Sequence, residues 1–278
     1  MAEANIFSDL FNIISNYLNE ISNAEKISLL LIIAAAILFM ILERLFPYTK
    51  GQKLFREGFF DDFALYTIAQ SYILSILIFS VIIRFVDNTT GLSRLRLFAD
   101  VPIWMQLVFF TVTHDIYIYF MHRWQHRNKW LWRIHEAHHS NKNIDWLAGS
   151  RSHALEILIN QTVEFLPIIL LGSPYEVIAY KGIISAVWGM YIHANIDVKT
   201  GWLQKIINGP EMHRWHHSTG KGRNRNFATK LAIWDWLLGT AFQPGNKPDE
   251  FGLKTYFPKN YFVQTFYAFR KFKKAKSE

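Results

Sequence analysis

Long apolar runs separated by short polar and basic segments dominate the first two thirds of the chain. Residues 27–46 are almost continuously apolar, over about the 20 residues that a helix needs to cross a bilayer. A second apolar segment covers 59–86, with its crossing part expected at 63–84, and it ends in the turn-rich sequence DNTTG at 87–91. A third apolar segment follows at 101–121. This pattern predicts helices that span a membrane.

The later segments contain polar interruptions that predict how the helices are arranged. The third segment carries His114 and Asp115, and its helical pattern runs on into His122. Ionisable groups within a span are costly, and so they usually face the interior of a bundle. Residues 154–193 are too long for one span and are interrupted by GSP at 172–174, which predicts a hairpin that crosses twice. We therefore predict an all-α, polytopic membrane bundle of about five spans, with a histidine-rich helical cap.

The two ends of the chain differ from the apolar middle. Apolar residues recur at helical spacing over 6–21, opposite a polar face, which predicts an interfacial or docking helix. We expect three regions: 1–100, with this helix and two spans; 101–243, with all the histidines; and 244–278, a basic C-terminal tail.

Charge predicts the orientation of the chain in the membrane. The 278 residues are 51% hydrophobic and carry 30 basic against 22 acidic side chains, a formal charge of +8. The basic residues concentrate at 44–58, at 122–153 and in the tail, whereas 1–26 and 87–100 are nearly balanced or acidic. By the positive-inside rule, the N-terminus lies outside and the histidine-bearing segments and C-terminus lie on the cytoplasmic side. Because this rule accounts for the positive charge, we expect no binding of nucleic acid.

The chain contains no cysteine. This excludes disulfides, thiolate metal ligands and a cysteine nucleophile, so any metal ion must be held by nitrogen and oxygen atoms. The N-terminal sequence MAEANIFSDL lacks a basic n-region, and we therefore expect no cleavable signal peptide.

Histidines form the main candidate chemistry. All eleven lie between positions 114 and 217, and two HxxHH boxes are present. Nine occupy positions typical of ligands: His122, His126, His135, His138, His139, His193, His213, His216 and His217. Residues three or four apart share a helix face, whereas adjacent residues point about 100° apart and can serve different ions. One ion accepts roughly four to six ligands, so nine imidazoles predict two neighbouring metal ions.

The type of ligand limits the choice of metal. Imidazole suits iron, zinc, copper and nickel, and spacing alone does not separate iron from zinc. A redox-active metal beside the acyl region of a bilayer can attack lipid C–H bonds, which acid–base chemistry cannot. We therefore predict a di-iron site that activates O2, in which zinc can replace iron in isolated protein.

The histidine motifs resemble those of the fatty acid hydroxylase/sterol desaturase superfamily of membrane di-iron oxygenases. The matching stretches are DIYIYFMHRWQH (115–126), HEAHH (135–139), YIHAN (191–195), HRWHH (213–217) and RNFATKLAIWDWLLGTAF (225–242). The resemblance covers roughly residues 101–243 and looks most like the branch with alkylglycerol monooxygenase and bacterial sterol-desaturase-like proteins. It implies that the nine histidines are metal ligands, that O2 is the oxidant, and that a separate redox partner supplies electrons.

Several further polar residues lie close to these motifs in the sequence. Some family members carry a further histidine four residues after the position of His193. Here it is Asp197, so one ion has one ligand fewer, or is completed by a carboxylate or water. Asp115 lies seven residues before a ligand position and is expected to accept a hydrogen bond from a ligand imidazole, or else to bond another helix. We place His153 and Asn195 near the site, with interface contacts as the alternative. Three further carboxylates have spacing that gives no reason to prefer them as ligands: Glu156, Glu164 and Glu211.

Together these observations predict an O2-dependent hydroxylase or desaturase of a fatty acyl, sterol or ether lipid. No GxGxxG turn and no HPGG haem motif is present, so electrons must come from a separate cytochrome b5-, ferredoxin- or reductase-type donor. Two alternatives remain. His135, Glu136 and His139 also satisfy the HExxH pattern of zinc peptidases. The chain could also be a non-catalytic metal-binding membrane protein.

Overall fold

A computed structural model describes residues 22–271 of the chain, and the predicted interfacial helix at 6–21 lies outside that range. Within residues 22–271 the chain is helical, and the β-structure there consists of two isolated bridges. The main helices are α1 (Asn23–Leu45), α2 (Asp61–Thr90), α3 (Ile103–Arg127), α4 (Lys129–His135), α5 (Ala154–Leu170), α6 (Tyr175–His193), α7 (Pro210–His216), α8 (Ile233–Leu237) and α9 (Tyr261–Tyr267). The predicted all-α class is confirmed for this part of the chain.

Helix α1 begins at a capping box. Ser22 Oγ accepts a hydrogen bond from the backbone N–H of Glu25 at 3.2 Å, and the Glu25 carboxylate accepts one from the N–H of Ser22 at 2.8 Å. The apolar run that follows continues the helix to Leu45, just before Pro47. The predicted first span at 27–46 therefore matches the apolar part of this helix.

Helix α2 is one continuous helix of 30 residues, and it is wound as π-helix over Asp61–Gln70 and Ile76–Ile83. It runs through the DNTT sequence that was predicted as a turn and ends at Gly91, whose φ of 64° is left-handed. The threonine hydroxyls at 89 and 90 donate to backbone carbonyls four residues earlier, which suits a helix. The helix therefore ends at Gly91 instead of at residue 87, because glycine adopts a positive φ most easily.

The hairpin predicted at 154–193 is present as α5 and α6, with the break at GSP. Helix α3 also runs straight through His122, as the sequence predicts. Four helices, α2, α3, α5 and α6, bury one apolar core: Leu74, Ile78, Ile83, Phe110, Phe165, Ile168 and Val177. Helix α1 packs along α6 through a second cluster around Phe39, Leu147 and Ala194. These helices form the wall on which the histidine segments rest.

Two helices in the described residues, α1 and α2, are long and apolar enough to cross a membrane. Only 6% of the most apolar stretch of α1 is buried, so its surface would face lipid. Helix α3 contains several polar residues, and the 17 residues of α5 rise only about 26 Å, against about 30 Å for a hydrocarbon core. The count of about five spans therefore stays a prediction.

A buried ion network ties the α1–α2 loop to the segment that follows the first HxxHH box. Arg56 contacts Asp62 at 2.8 Å and Asp145 at 2.8 Å. Arg151 completes the network with a 2.7 Å contact to Asp62. All four side chains are less than one tenth exposed. The network fixes the loop before α5 against the start of α2, and so it positions the side of the cap that holds the histidines.

Candidate metal centre

Four chain segments bring the nine predicted ligands into one cluster at the end of the helical wall. The last turns of α3 supply two, α4 and the turn after it supply three, the end of α6 supplies one, and α7 with the next residue supplies three. Eight of the nine are buried, and His126 is half-buried. Histidines four residues apart share one face and point in the same direction, which holds for the pairs 122/126, 135/139 and 213/217.

The rings form two separate groups, in each of which the ligand nitrogens lie within 4.8 Å of one another. The first group is His122, His126, His135, His139 and His216. The second is His138, His193, His213 and His217. The adjacent pairs at 138/139 and 216/217 are divided between the two groups, as their 100° offset predicts. The arrangement offers five nitrogens to one ion and four to a second.

Distances between ring nitrogens fit metal coordination. The Nε2 atoms of His122 and His135 are 3.0 Å apart, and those of His193 and His213 are also 3.0 Å apart. A metal–nitrogen bond of about 2.1 Å with an angle of about 90° places two ligand nitrogens about 3.0 Å apart. Both groups therefore have the separation expected of imidazoles that share an ion.

The hydrogen bonds on the far side of the rings support this interpretation. His122 Nδ1 donates to the carbonyl of Phe227 at 2.8 Å, and His135 Nδ1 lies 2.8 Å from Glu156 Oε1. A neutral ring that donates through Nδ1 carries a lone pair on Nε2. The Nε2 atoms of these two rings thus present lone pairs to each other. A cation between them resolves the repulsion, and the carbonyl and carboxylate fix the tautomer that binds it.

The RNFA segment that follows the second box orients further ligands. The carbonyl of Arg225 accepts a hydrogen bond from His216 Nδ1 at 2.8 Å, and Asn224 Oδ1 lies 3.2 Å from His126 Nδ1. The Phe227 carbonyl accepts a hydrogen bond from a third ring, that of His122, so residues 224–227 contact three rings of the first group. This segment belongs to the centre although it contains no histidine.

Burial lowers the pKa of histidines in both groups. Desolvation, followed by the effect of neighbouring imidazoles, lowers the pKa of His138, His139, His216 and His217 well below the usual value. Protonated histidine cannot bind a metal ion, and a lowered pKa removes the competing proton at neutral pH. The donor set therefore fits divalent iron or zinc, and the absence of sulfur ligands disfavours softer ions.

Asp115 does not form the expected hydrogen bond with a ligand imidazole. Its carboxylate accepts four hydrogen bonds of 2.8–3.0 Å from Thr229 Oγ1, the backbone N–H groups of Lys230 and Leu231, and Trp234 Nε1. Asp115 therefore holds the chain that follows the RNFA segment against α3. Sequence spacing along α3 could not show this, because the partners lie more than 110 residues away in the chain.

His153 and Asn195 also bind backbone groups rather than the two histidine groups. His153 caps α5 by accepting the N–H of Leu155 at 3.1 Å, and its Nε2 lies 3.0 Å from the Thr265 carbonyl. Asn195 Oδ1 accepts the N–H of Thr49 at 2.8 Å. Both residues position elements next to the centre, and neither contacts a ring of the centre.

Asp197 lies away from the second group. Its carboxylate contacts Lys247 at 3.2 Å, and 41% of the side chain is exposed. The second group thus offers four histidine nitrogens, and Asp197 adds no carboxylate oxygen to it.

Two glutamates near His135 have different partners. Glu156 contacts the His135 ring and accepts a hydrogen bond from Gln125 at 2.9 Å, so it is a positioning residue that sequence analysis did not single out. Glu136 instead accepts a hydrogen bond from Arg270 at 2.7 Å. Sequence spacing carried no signal for this role of Glu156, because its partner His135 lies 21 residues earlier on another helix.

A cavity of about 230 Å³ opens beside the centre, between α3, α5 and α6. Five rings line one end of it, those of His122, His135, His138, His193 and His213. Apolar residues such as Ile118, Ile157 and Ile192 line its walls. The cavity can hold part of a lipid beside both groups.

On the opposite side, Trp132 contacts the first group. Its ring centroid lies 5.1 Å from that of His126 and 5.3 Å from that of His139. The Arg223 guanidinium lies over the same indole at 4.6 Å. A positively charged side chain therefore covers the aromatic ring nearest to the first group.

Comparison with known proteins agrees with this geometry. Residues 107–240 match the family described as fatty acid hydroxylase. Over 144 residues the chain is 36% identical to ornithine lipid hydroxylase OlsE of Rhizobium tropici, covering 51% of this chain and 44% of that protein. It is 31% identical over 144 residues to human alkylglycerol monooxygenase, covering 50% of this chain and 31% of that protein. Over 140 residues it is 31% identical to methylsterol monooxygenase 1-3 of Arabidopsis thaliana, covering 49% of this chain and 47% of that protein.

The aligned part therefore spans less than half the length of these relatives. No solved structure matches the chain significantly. The matched residues 107–240 include all nine histidines of the two groups. Residues 107–240 therefore form a fatty acid hydroxylase domain, and the relatives they match confirm the resemblance of the histidine boxes to the fatty acid hydroxylase/sterol desaturase superfamily.

Proposed function

We propose that the chain is a membrane-bound di-iron oxygenase that uses O2 to hydroxylate or desaturate a lipid. The observation that carries this proposal is the pair of histidine groups, of five and four rings, both of which contribute rings to the lining of one cavity. The relatives named as hydroxylases and monooxygenases of ornithine lipids, alkylglycerols and methylsterols support lipid oxidation as the reaction class. Two bound iron ions would supply the redox chemistry that activates O2 for attack on an unactivated C–H bond.

The protein's own residues bind and orient. In the first group, the Phe227 carbonyl and the Glu156 carboxylate hold two rings with their Nε2 atoms directed inward. The apolar wall of the cavity excludes water and positions the substrate carbon beside the centre. Whether hydroxylation or desaturation follows depends on where the carbon lies relative to the two ions.

We place the chain in a membrane with about five spans, the N-terminus outside, and the centre and C-terminus on the cytoplasmic side. The two long apolar helices and the distribution of basic residues support this orientation. The electron donor is a separate protein of cytochrome b5, ferredoxin or reductase type. The basic surface around Arg223, which covers Trp132, supports docking of an acidic donor near the first group.

The structure argues against the zinc-peptidase alternative. In an HExxH peptidase the glutamate is the base beside the metal-bound water. Here the Glu136 carboxylate is engaged by Arg270, and five rings rather than two converge in the group that contains His135 and His139. The number of buried rings also exceeds what one zinc ion needs.

The direct test is oxidation under ¹⁸O2. Full-length protein loaded with iron is incubated with a chemical reductant and a lipid extract, and lipids are analysed by mass spectrometry. We expect an ¹⁸O-labelled alcohol or a lipid that has lost two hydrogens. A variant with His138→Ala and His139→Ala, which removes one ring from each group, should give neither product. If no lipid class gains label or loses hydrogen with the intact protein, the proposal is wrong.

A further inference from the structure

The cavity contains a second layer of polar residues, supplied by the same three helices that line the cavity beside the histidine groups. Each helix carries one residue at the metal end and another eight residues away at the far end. The pairs are His122 and His114 on α3, Glu156 and Glu164 on α5, and His193 and Ser185 on α6, all of which line the cavity. Eight helical residues rise about 12 Å. The far end is therefore a second polar layer, and Ile118, Ile157 and Ile192 line the cavity between the layers together with Asn160 and Gln161.

One ion pair at the far end is complete. The Lys181 ammonium, which is fully buried, donates to the carboxylate of Glu164 and to Ser185 Oγ at 3.1 Å. Ser185 in turn donates to the same carboxylate oxygen of Glu164. Lys181 and Glu164 thus balance each other and require no ligand.

Lys230 lacks such a partner. It lines the same cavity and is only 7% exposed. Among residues 22–271, no ion pair joins the Lys230 ammonium to a carboxylate, in contrast to Lys181, Lys247 and Lys259. The carboxylate of Asp115 accepts the backbone N–H of Lys230 rather than its ammonium, and both its oxygens already accept hydrogen bonds from residues 229–234. Glu164 acts on Lys230 only from a distance, because its carboxylate is bonded to Lys181 and Ser185. A buried ammonium without a contacting counter-ion is costly, which points to an anion from outside the chain.

Two further side chains at the cavity have unused hydrogen-bonding capacity. His114 is 8% exposed, and neither of its ring nitrogens has a hydrogen-bond partner among residues 22–271. Its Nδ1 atom lies 3.5 Å from Glu164 Oε1, which is too long for a good hydrogen bond. Trp188 Nε1 is also buried without an acceptor in the same range. Buried donors are normally satisfied, so their clustering beside Lys230 points to a ligand with acceptor oxygens.

We propose that the far end of the cavity binds the carboxylate or phosphate group of an amphiphilic lipid. Lys230 supplies the charge, and His114 and Trp188 supply neutral donors. The apolar chain of the lipid then runs along α5 to the histidine groups, about 12 Å away. This inference rests on the proposed function in one respect: the lipid held here is the lipid that is oxidised.

Binding of single-chain lipids tests this assignment without any turnover. Metal-loaded full-length protein in non-ionic detergent is titrated with hexadecanoate, hexadecyl phosphate and hexadecanol, and each Kd is measured by calorimetry. We expect at least one anion to bind more tightly than the alcohol, and the tighter of the two identifies carboxylate or phosphate. Lys230→Met should weaken binding of that anion by about 10- to 100-fold and leave hexadecanol unchanged, since it removes one charge-assisted hydrogen bond.

Two control variants separate this effect from damage to the fold. Lys230→Arg keeps the charge and should retain the preference for the anion, and Lys254→Met, at an exposed position, should change nothing. Metal content and thermal unfolding check each variant. If intact protein binds hexadecanol as tightly as both anions, the inference is wrong even where variants fail to fold. If the protein oxidises a neutral lipid and shows no preference for anions, this inference alone is wrong. If it binds the anion but oxidises no lipid, the anion site stands and the proposed function is wrong.

Discussion

The Nδ1 atom of His135 lies 2.8 Å from Glu156 Oε1, and Gln125 Nε2 donates to that same oxygen at 2.9 Å. The carboxylate comes from α5 and the ring from α4, so this contact joins the helical wall to the histidine cap. A carboxylate that accepts a ligand's Nδ1 proton fixes the tautomer and makes Nε2 a stronger donor to the metal. Glu156 therefore acts on the metal through His135.

Replacing this carboxylate should weaken metal binding while leaving the ligands in place. We expect Glu156→Gln to raise the dissociation constant for iron by about 10- to 100-fold, the range typical of such outer contacts. Competition with a chelator of known affinity measures it. The matched control is Glu136→Gln, because Glu136 is equally buried but bonds Arg270. Equal losses in the two variants would contradict a specific role for the His135 contact. Retained oxidation in Glu136→Gln would also exclude a peptidase base.

The two groups should lose metal independently. Intact protein should hold about two equivalents of iron, one for each group of rings. His126→Ala removes a ring of the first group at its half-buried edge, and His217→Ala removes one of the second. We expect each variant to fall toward one equivalent, measured by elemental analysis against protein concentration. A single equivalent in the intact protein, lost entirely in either variant, would show one ion instead of two.

Asp197 should be irrelevant to metal binding. It is partly exposed and pairs with Lys247, whereas His193, four residues earlier, is buried in the second group. Asp197→Ala should keep full metal content, and His193→Ala should lose the second equivalent. Iron content after gel filtration in detergent distinguishes them. A clear loss in Asp197→Ala would mean that the carboxylate turns toward the ion when metal is bound.

The helices and the nine rings could be predicted from sequence because their signals are local. Apolar length gave α1, the GSP interruption gave the break between α5 and α6, and histidine spacing gave the two groups. The hydrogen-bond partners of Asp115, His153 and Asn195 could not be predicted from sequence, because each residue binds a segment far away in the chain. The turn predicted at residues 87–90 was wrong. The helix continues there because the threonine side chains bond to helix carbonyls, and it ends only at Gly91. Local periodicity along the sequence does not show which distant backbone group forms a hydrogen bond with a given side chain.

The segment held by Asp115 gives a prediction about stability. Asp115→Asn retains the size of the side chain but replaces one acceptor oxygen by an amide that faces N–H donors. We expect a loss of about 1–3 kcal/mol in the free energy of unfolding, seen as a lower thermal midpoint in detergent. Asp100→Asn, at an exposed position, should have little effect. Protein that remains folded should keep its iron, because Asp115 contacts no ligand ring. Loss of iron without loss of stability would instead restore a direct role at the metal centre.

The Arg56 network should be more sensitive to the loss of one partner than to the loss of both. Arg56→Met leaves Asp145 buried without its main counter-charge, and we expect it to cost about 3–5 kcal/mol. Adding Asp145→Leu removes the stranded carboxylate and should recover part of that loss. The comparison uses thermal unfolding of the single and double variants, with Lys259→Met at the exposed Glu57 pair as the control. Loss of the exposed pair should have little effect on the thermal midpoint, because water and salt screen the two charges. If the double variant is less stable than Arg56→Met alone, Asp145 is stabilised by contacts other than the arginine, and the network does not hold the α1–α2 loop in the way proposed.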